Sequence, residues 1–311
     1  MGLTHFDEAP RRTYEIGHLH ATWSLLGEAA GCREVGVRRI DVRAGAWSTP
    51  AHEHGRSEEI FYVLAGRGLS WHRAEVAEIG AGDCIVYRPG SGAHTLHAVT
   101  ELDVLAFGPR PRDESPRFPR LGASLIGGRF VETLDGVTDG LPTQFVREAE
   151  LGPPELPAEP GPRPATIVNL ADVEGGTIDR AHVSRTRRKL GEAAGAVGTG
   201  LNHVEVAPGK EGGPLHCHSL EEEIFVILDG DGMLVLDEEE TPVRAGSVVA
   251  RPAGTGVSHQ LRAGGRGLTY LAYGTREPGD VCYYPRSNKI SFRGVGVIGR
   301  IEQLDYWDGE D

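Results

Sequence analysis

The chain has 311 residues, enough for two ordinary domains, and its 39% hydrophobic and 25% charged content is that of a soluble globular protein. With 44 glycines and 20 prolines, uninterrupted helical stretches are few and an all-β fold is favoured. The 45 acidic against 32 basic residues leave a formal charge of -13, which repels phosphate backbones and anionic bilayers, so neither nucleic acid nor membrane is expected as a partner.

In chain order, Met1 to Arg12 is polar and charged where a signal peptide needs an apolar stretch. No window approaches the run of about 18 apolar residues that spans a bilayer. Cys32, Cys84, Cys217 and Cys282 show neither CxxC nor disulfide-framework spacing, so the chain reads as cytoplasmic and its thiols as small apolar packing groups.

Ile60 to Leu64, Cys84 to Tyr87, Ile224 to Leu228 and Ser247 to Ala250 are short, β-branched or aromatic, and closed by Gly or Pro. They predict strands spaced as in a sandwich or barrel. Between the two pairs, Gly152 to Pro164 holds six prolines, a composition that favours an extended spacer. The expected division is an N-terminal domain over 1–150, a Pro-rich linker over 151–164 and a C-terminal domain over 165–311.

The two halves repeat each other. Leu26 to Gly31 reads LGEAAG and returns as Leu190 to Gly195, an offset of 164 residues. That offset carries His18 onto His182, Gly45 onto Gly209, His52 and His54 onto His216 and His218, Glu59 onto Glu223, Gly66 onto Gly230 and Gly82 onto Gly246. It drifts to 165 for His94 and His259, and to 166 for Phe118 to Arg120 against Tyr284 to Arg286, as short insertions in loops would produce.

Residues two apart on a strand share a face, so His52 with His54, and His216 with His218, each present two imidazoles to one interior. A glutamate, Glu59 or Glu223, heads the next apolar strand, and His94 or His259 follows a Pro-Gly-rich turn. A lone His-x-His is often just a pair of hydrogen-bonded histidines, but here one four-residue spacing occurs twice. Three imidazoles and one carboxylate suit a divalent first-row ion such as iron, manganese, nickel, copper or zinc, up to two per chain, with positions left for water or substrate.

These residues resemble the cupin superfamily, whose first motif (Gly, His-x-His, Glu, then Gly after six residues) is matched by Gly45 to Gly66 and Gly209 to Gly230. The family spacing selects Glu59 over Glu58 and Glu223 over Glu222. The second motif is seen in Gly246 to Gly254 followed by His259, and in altered form in Gly82 to Pro89, where Ser91 stands in the place of the usual glycine before His94. The resemblance implies two tandem cupin barrels of jelly-roll form, and the whole chain, with its tail from Tyr283 to Asp308, is similar to small two-domain bacterial cupins. It also implies barrels paired face to face within one chain, with a homodimer as a further possibility.

Arg88 and Arg251, each before a strand-ending proline, are candidates to clamp a substrate carboxylate and are better read as structural ion-pair partners. His97 is a candidate for a supporting role beside His94, His18 and His182 for packing or a turn, and Asp237 to Glu240 for a solvated loop. Cys217, between two inward histidines, is expected to point away from the ion. The leading expectation is a metal-dependent enzyme on a small oxygenated molecule. Dioxygenase-like oxidation is placed first, decarboxylase or isomerase chemistry next, and a non-catalytic binding or storage protein is the alternative. The more regular second motif makes the C-terminal copy the preferred catalytic one.

Overall fold

In the computed structural model described here, residues 2–132, 136–139 and 143–310 are defined. Among them the regular structure is mostly antiparallel β-strand, with short helical segments and one longer helix, Thr143–Leu151. It folds as two jelly-roll barrels built from the two sequence repeats. In the first, Leu102–Pro109 lies between Val35–Val42 and Glu59–Ala65, and Glu59–Ala65 pairs in turn with Asp83–Tyr87. In the second, His259–Thr275 lies between Thr199–Val206 and Glu223–Leu236, with Ser247–Arg251 beside the latter.

The glycine closing each first motif is there because no side chain fits. Gly66 and Gly230 have φ of 88° and 82°, and a Cβ would lie 2.0 Å from the carbonyl oxygen of Glu101 and 2.1 Å from that of Gly267. At both points the strand bends sharply while a neighbouring backbone crosses close by.

Each barrel has its own interior. Ile40, Val63, Ile85, Leu96 and Val104 fill the first, and Val204, Ile227, Leu234, Val249 and Leu268 the second. A third apolar cluster belongs to both: Leu26, Val37, Ile60, Val86 and Phe107 from one repeat meet Leu190, Leu201, Ile224, Val248 and Tyr273 from the other. The barrels therefore pack face to face. The helical turns Leu26–Ala29 and Leu190–Ala193, which carry the LGEA repeat, put a fully buried leucine into that shared layer.

Strands also cross between the repeats. Gly2–His5 adds to the second barrel by pairing with Ser247–Arg251, and Ile167–Asn169 adds to the first by pairing with Asp83–Tyr87. The Pro-rich segment lies along the first barrel: Gly161 donates its N–H to Val76, and Arg163 grips the buried Asp83 carboxylate with bonds of 2.8 and 2.7 Å. The division we propose at 151–164 is thus a boundary of duplication across which hydrogen bonding continues.

Candidate metal centres

The same local logic builds both candidate centres. His52 and His94 form an antiparallel bridge, His52 donating to the His94 carbonyl at 3.2 Å and receiving in return at 2.8 Å. His216 and His259 repeat it at 3.2 and 2.7 Å. Glu59 and Glu223 begin their strands, and His94 and His259 begin theirs, so four side chains from three segments meet at one end of each barrel.

In the first centre Glu59 Oε2 lies 2.8 Å from His94 Nε2 and 3.8 Å from the Nε2 atoms of both His52 and His54. In the second, Glu223 Oε2 lies 2.8, 3.5 and 4.0 Å from the Nε2 atoms of His259, His218 and His216. His52 Nδ1 donates to the Pro50 carbonyl at 2.9 Å, and His216 Nδ1 to that of Pro214 at 2.8 Å. A carbonyl only accepts, so each ring carries its proton on Nδ1 and turns a free Nε2 lone pair toward the glutamate.

Burial and the neighbouring imidazoles keep these rings neutral: His52 is held down to about 3, and His216 to about 4. Burial opposes the Glu59 charge, but the bond from His94 and the three nearby rings outweigh it and hold the carboxyl down to about 2. Glu223 is held well below the usual carboxylate range by the same balance. His218 supplies the test of fit. Its Nδ1 donates to Asp280 at 2.7 Å, while its Nε2 is buried, faces Glu223 and has no hydrogen-bond partner. An orphaned buried lone pair, beside two other imidazoles and a carboxylate, is the donor set that a divalent transition-metal ion satisfies.

Asp280 was not foreseen from sequence. It accepts from His218 and from the N–H groups of Leu220 and Glu221, and burial, which opposes its charge, is outweighed by these bonds. Its counterpart is Glu114, which accepts from Gly55 and Ser57 and lies 3.9 Å from His54 Nδ1. The signal was present, because the offset of 166 that relates Phe118 to Tyr284 also relates Glu114 to Asp280. Phe118 and Tyr284 themselves lie against His52 and His216, with ring centroids 6.2 and 5.8 Å away. Cys282 also joins the second centre, within reach of His216 and His218, whereas the expectation for the thiols was packing alone.

The other candidates resolve differently. Among the described residues Arg88 and Arg251 form no ion pair within 4 Å; Arg88 donates to the Gly195 carbonyl and Arg251 to that of Val257, which corrects the ion-pair expectation. The register pairs Glu59 with Tyr87 and Glu223 with Arg251, so Tyr87 is the structural counterpart of Arg251. Tyr87 stacks on His94 at 3.9 Å. His97 packs on Trp47, with centroids 5.0 Å apart. His18 is half-buried 3.9 Å from Glu148, while His182 is exposed. Asp237, Glu238, Glu239 and Glu240 are exposed, at a hairpin bend whose returning strand begins at Glu239.

The surroundings of the two centres are unlike. A cavity of about 570 Å3 contains His216, His218, Glu223 and His259 in its walls, with Arg185, Arg187, Lys189, Arg276 and Arg293. The space beside the first centre is smaller, about 400 Å3, and its walls include His54, Glu59, Arg38, Arg110 and Glu114.

Two jelly-roll barrels, each with a His-x-His, a Glu and a later His at one end, define a tandem cupin. The chain carries two cupin domains: the cupin domain model matches residues 38–107 and 202–271. Its fold is shared with oxalate decarboxylase of Bacillus subtilis, studied for its Mn(II) centres, at 14% identity and a TM-score of 0.57 over 90% of this chain and 79% of that one. The formate complex of Lactobacillus farciminis oxalate decarboxylase is similar at 15% identity and a TM-score of 0.57, over 88% of this chain and 86% of that one. No curated protein sequence matches the chain. Among the described residues no helix is long and apolar enough to cross a membrane.

Proposed function

We propose that the chain is a metal-dependent enzyme acting on a small oxygenated organic molecule, with His52, His54, Glu59 and His94 as one ligand set and His216, His218, Glu223 and His259 as the other. Turnover is assigned to the C-terminal centre. The observation that carries this is the buried, unpartnered His218 Nε2, turned toward Glu223 at the edge of a cavity of about 570 Å3, large enough for a small molecule. A divalent ion bound there supplies Lewis-acid polarisation of a substrate oxygen. The protein's own part is to keep His216 neutral, to orient His218 through Asp280, and to stack Tyr284 against His216.

Within this class, loss of a carboxylate from a small organic acid is the favoured reaction. The guanidinium-lined walls suit an acid, and the fold is shared with oxalate decarboxylases. Dioxygenase-like oxidation is the rival, since the same ligand set leaves room for dioxygen; a non-catalytic binding role is the reading from a different class. The test is elemental analysis of the purified full chain, followed by manganese or iron reconstitution and assays of carbon dioxide release and oxygen uptake with oxalate and other small organic acids. Carbon dioxide release without net oxygen uptake supports the decarboxylase. Stoichiometric oxygen uptake moves the assignment to the dioxygenase, and failure to take up metal overturns both.

A further inference from the structure

The cavity of the second barrel gathers like charge in an acidic chain. Arg185 and Arg187 are two apart on Ser184–Arg188, so both face the cavity, and Lys189 and Arg276 join them in its walls. Few acids oppose them. Lys189 lies 3.0 Å from Glu192, which also lies 3.8 Å from Arg276; Arg293 pairs with Glu221, and Arg185 bonds to the Gly212 carbonyl. Among the described residues Arg187 forms no ion pair within 4 Å, and it lies on the same face of the strand as Arg185. Cations packed this way repel one another unless a counter-charge joins them.

The first repeat keeps only the Arg276 position of this strip, as Arg110, which pairs with Glu28 as Arg276 lies near Glu192. The positions 164 residues before Arg185, Arg187 and Lys189 are Ala21, Trp23 and Leu25. Trp23 lies against Tyr14 and Phe145, with centroids 4.8 and 5.9 Å away. Arg185, Arg187 and Lys189 are therefore a feature of the second copy, and the common fold does not require them.

We propose that the C-terminal cavity takes a small organic polyanion, one oxygen group of which meets the His216, His218, Glu223 and His259 centre while a second, anionic group lies on Arg185, Arg187, Lys189 and Arg276. The first half rests on the metal-centre reading above; the second stands on the cationic strip alone. Guanidinium groups suit either a carboxylate or a phosphate as the second group.

Titration calorimetry on the metal-reconstituted full chain tests this with tricarballylate, glucose 6-phosphate and neutral glucose as probes. At least one anion is expected to bind ten-fold or more tightly than glucose, and the better of the two identifies the second group. Arg187→Gln with Lys189→Gln, both exposed positions, is expected to weaken that binding at least ten-fold without changing metal content or melting temperature. The surface pair Arg12→Gln with Arg43→Gln controls for net charge and is expected to leave binding intact. Unchanged binding in the cavity variant, or glucose matching both anions, overturns the proposal. Loss of the metal-centre reading registers separately, as absence of metal from the same wild-type sample.

Discussion

Glu58 and Glu59 are adjacent in sequence and serve opposite sides of one sheet. Glu59 faces the barrel interior and bonds His94, while Glu58 reaches into the other barrel and accepts from the N–H groups of Val197, Gly198 and Thr199 and the hydroxyl of Thr199. The second repeat reciprocates: Glu222 accepts from Arg33, Glu34 and Val35, and Glu223 bonds His259. The alternation of strand side chains thus divides each Glu-Glu pair between the candidate metal centre and the barrel interface.

Glu58→Ala and Glu222→Ala therefore each strand three buried or half-buried N–H groups across the interface and are expected to cost about 2–4 kcal/mol. Urea denaturation reads this directly. Glu59→Gln and Glu223→Gln are expected to spare stability by comparison and to lower metal content.

His52→Ala and His216→Ala are each expected to remove about one equivalent of metal per chain, and the double variant both. Inductively coupled plasma mass spectrometry of dialysed protein measures it. Unchanged metal in the double variant rejects both ligand sets.

Asp280→Asn weakens the hold on the His218 ring and is expected to reduce metal affinity at the second centre about 10- to 100-fold. Glu114→Gln is expected to have the smaller effect, because Glu114 lies 3.9 Å from His54 against 2.7 Å for Asp280 and His218. Competition with a chelator compares the two.

Burial pushes Glu148 up to about 7, against the pull of nearby Arg120. The folded chain then holds a proton that the unfolded chain releases in the ordinary carboxylate range, so this group's contribution to stability falls as pH rises from about 4.5 to 7. His18, held down to about 4 by burial and by Arg120, runs the other way as an imidazole, favouring the fold as pH rises from about 4 to 6.5. Comparing Glu148→Gln with wild type isolates the first effect. The variant's relative stability is expected to be about 2–3 kcal/mol more favourable at pH 8 than at pH 5, and thermal melts across that range test it.

Removing residues 1–8 takes Gly2–His5 off the second barrel and exposes the edge strand Ser247–Arg251. The truncated chain is expected to melt lower and to aggregate more readily, with faster hydrogen exchange at Val248 and Ala250. Unaltered exchange there means the added strand contributes little.

Much of this molecule was legible before folding. The duplication, the strands around Phe61 and Phe225, and the spacing of His52, His54 and Glu59 follow from local rules: side chains alternate along a strand, and a glycine stands where a Cβ has no room. A family spacing chose Glu59 over Glu58, and the interface bonds of Glu58 supply the physical reason. What local rules cannot reach is any relation between distant segments. The meeting of Asp280 with His218, the exchange of Gly2–His5 for Ile167–Asn169, and the basic wall of Arg185, Arg187 and Arg276 each depend on how the sheets close and pack. The repeat arithmetic gives the two proposed centres the same candidate ligands. Only the packed structure makes them unlike, because side chains beyond the shared spacing, Trp23 in one copy and Arg187 in the other, set what each barrel presents.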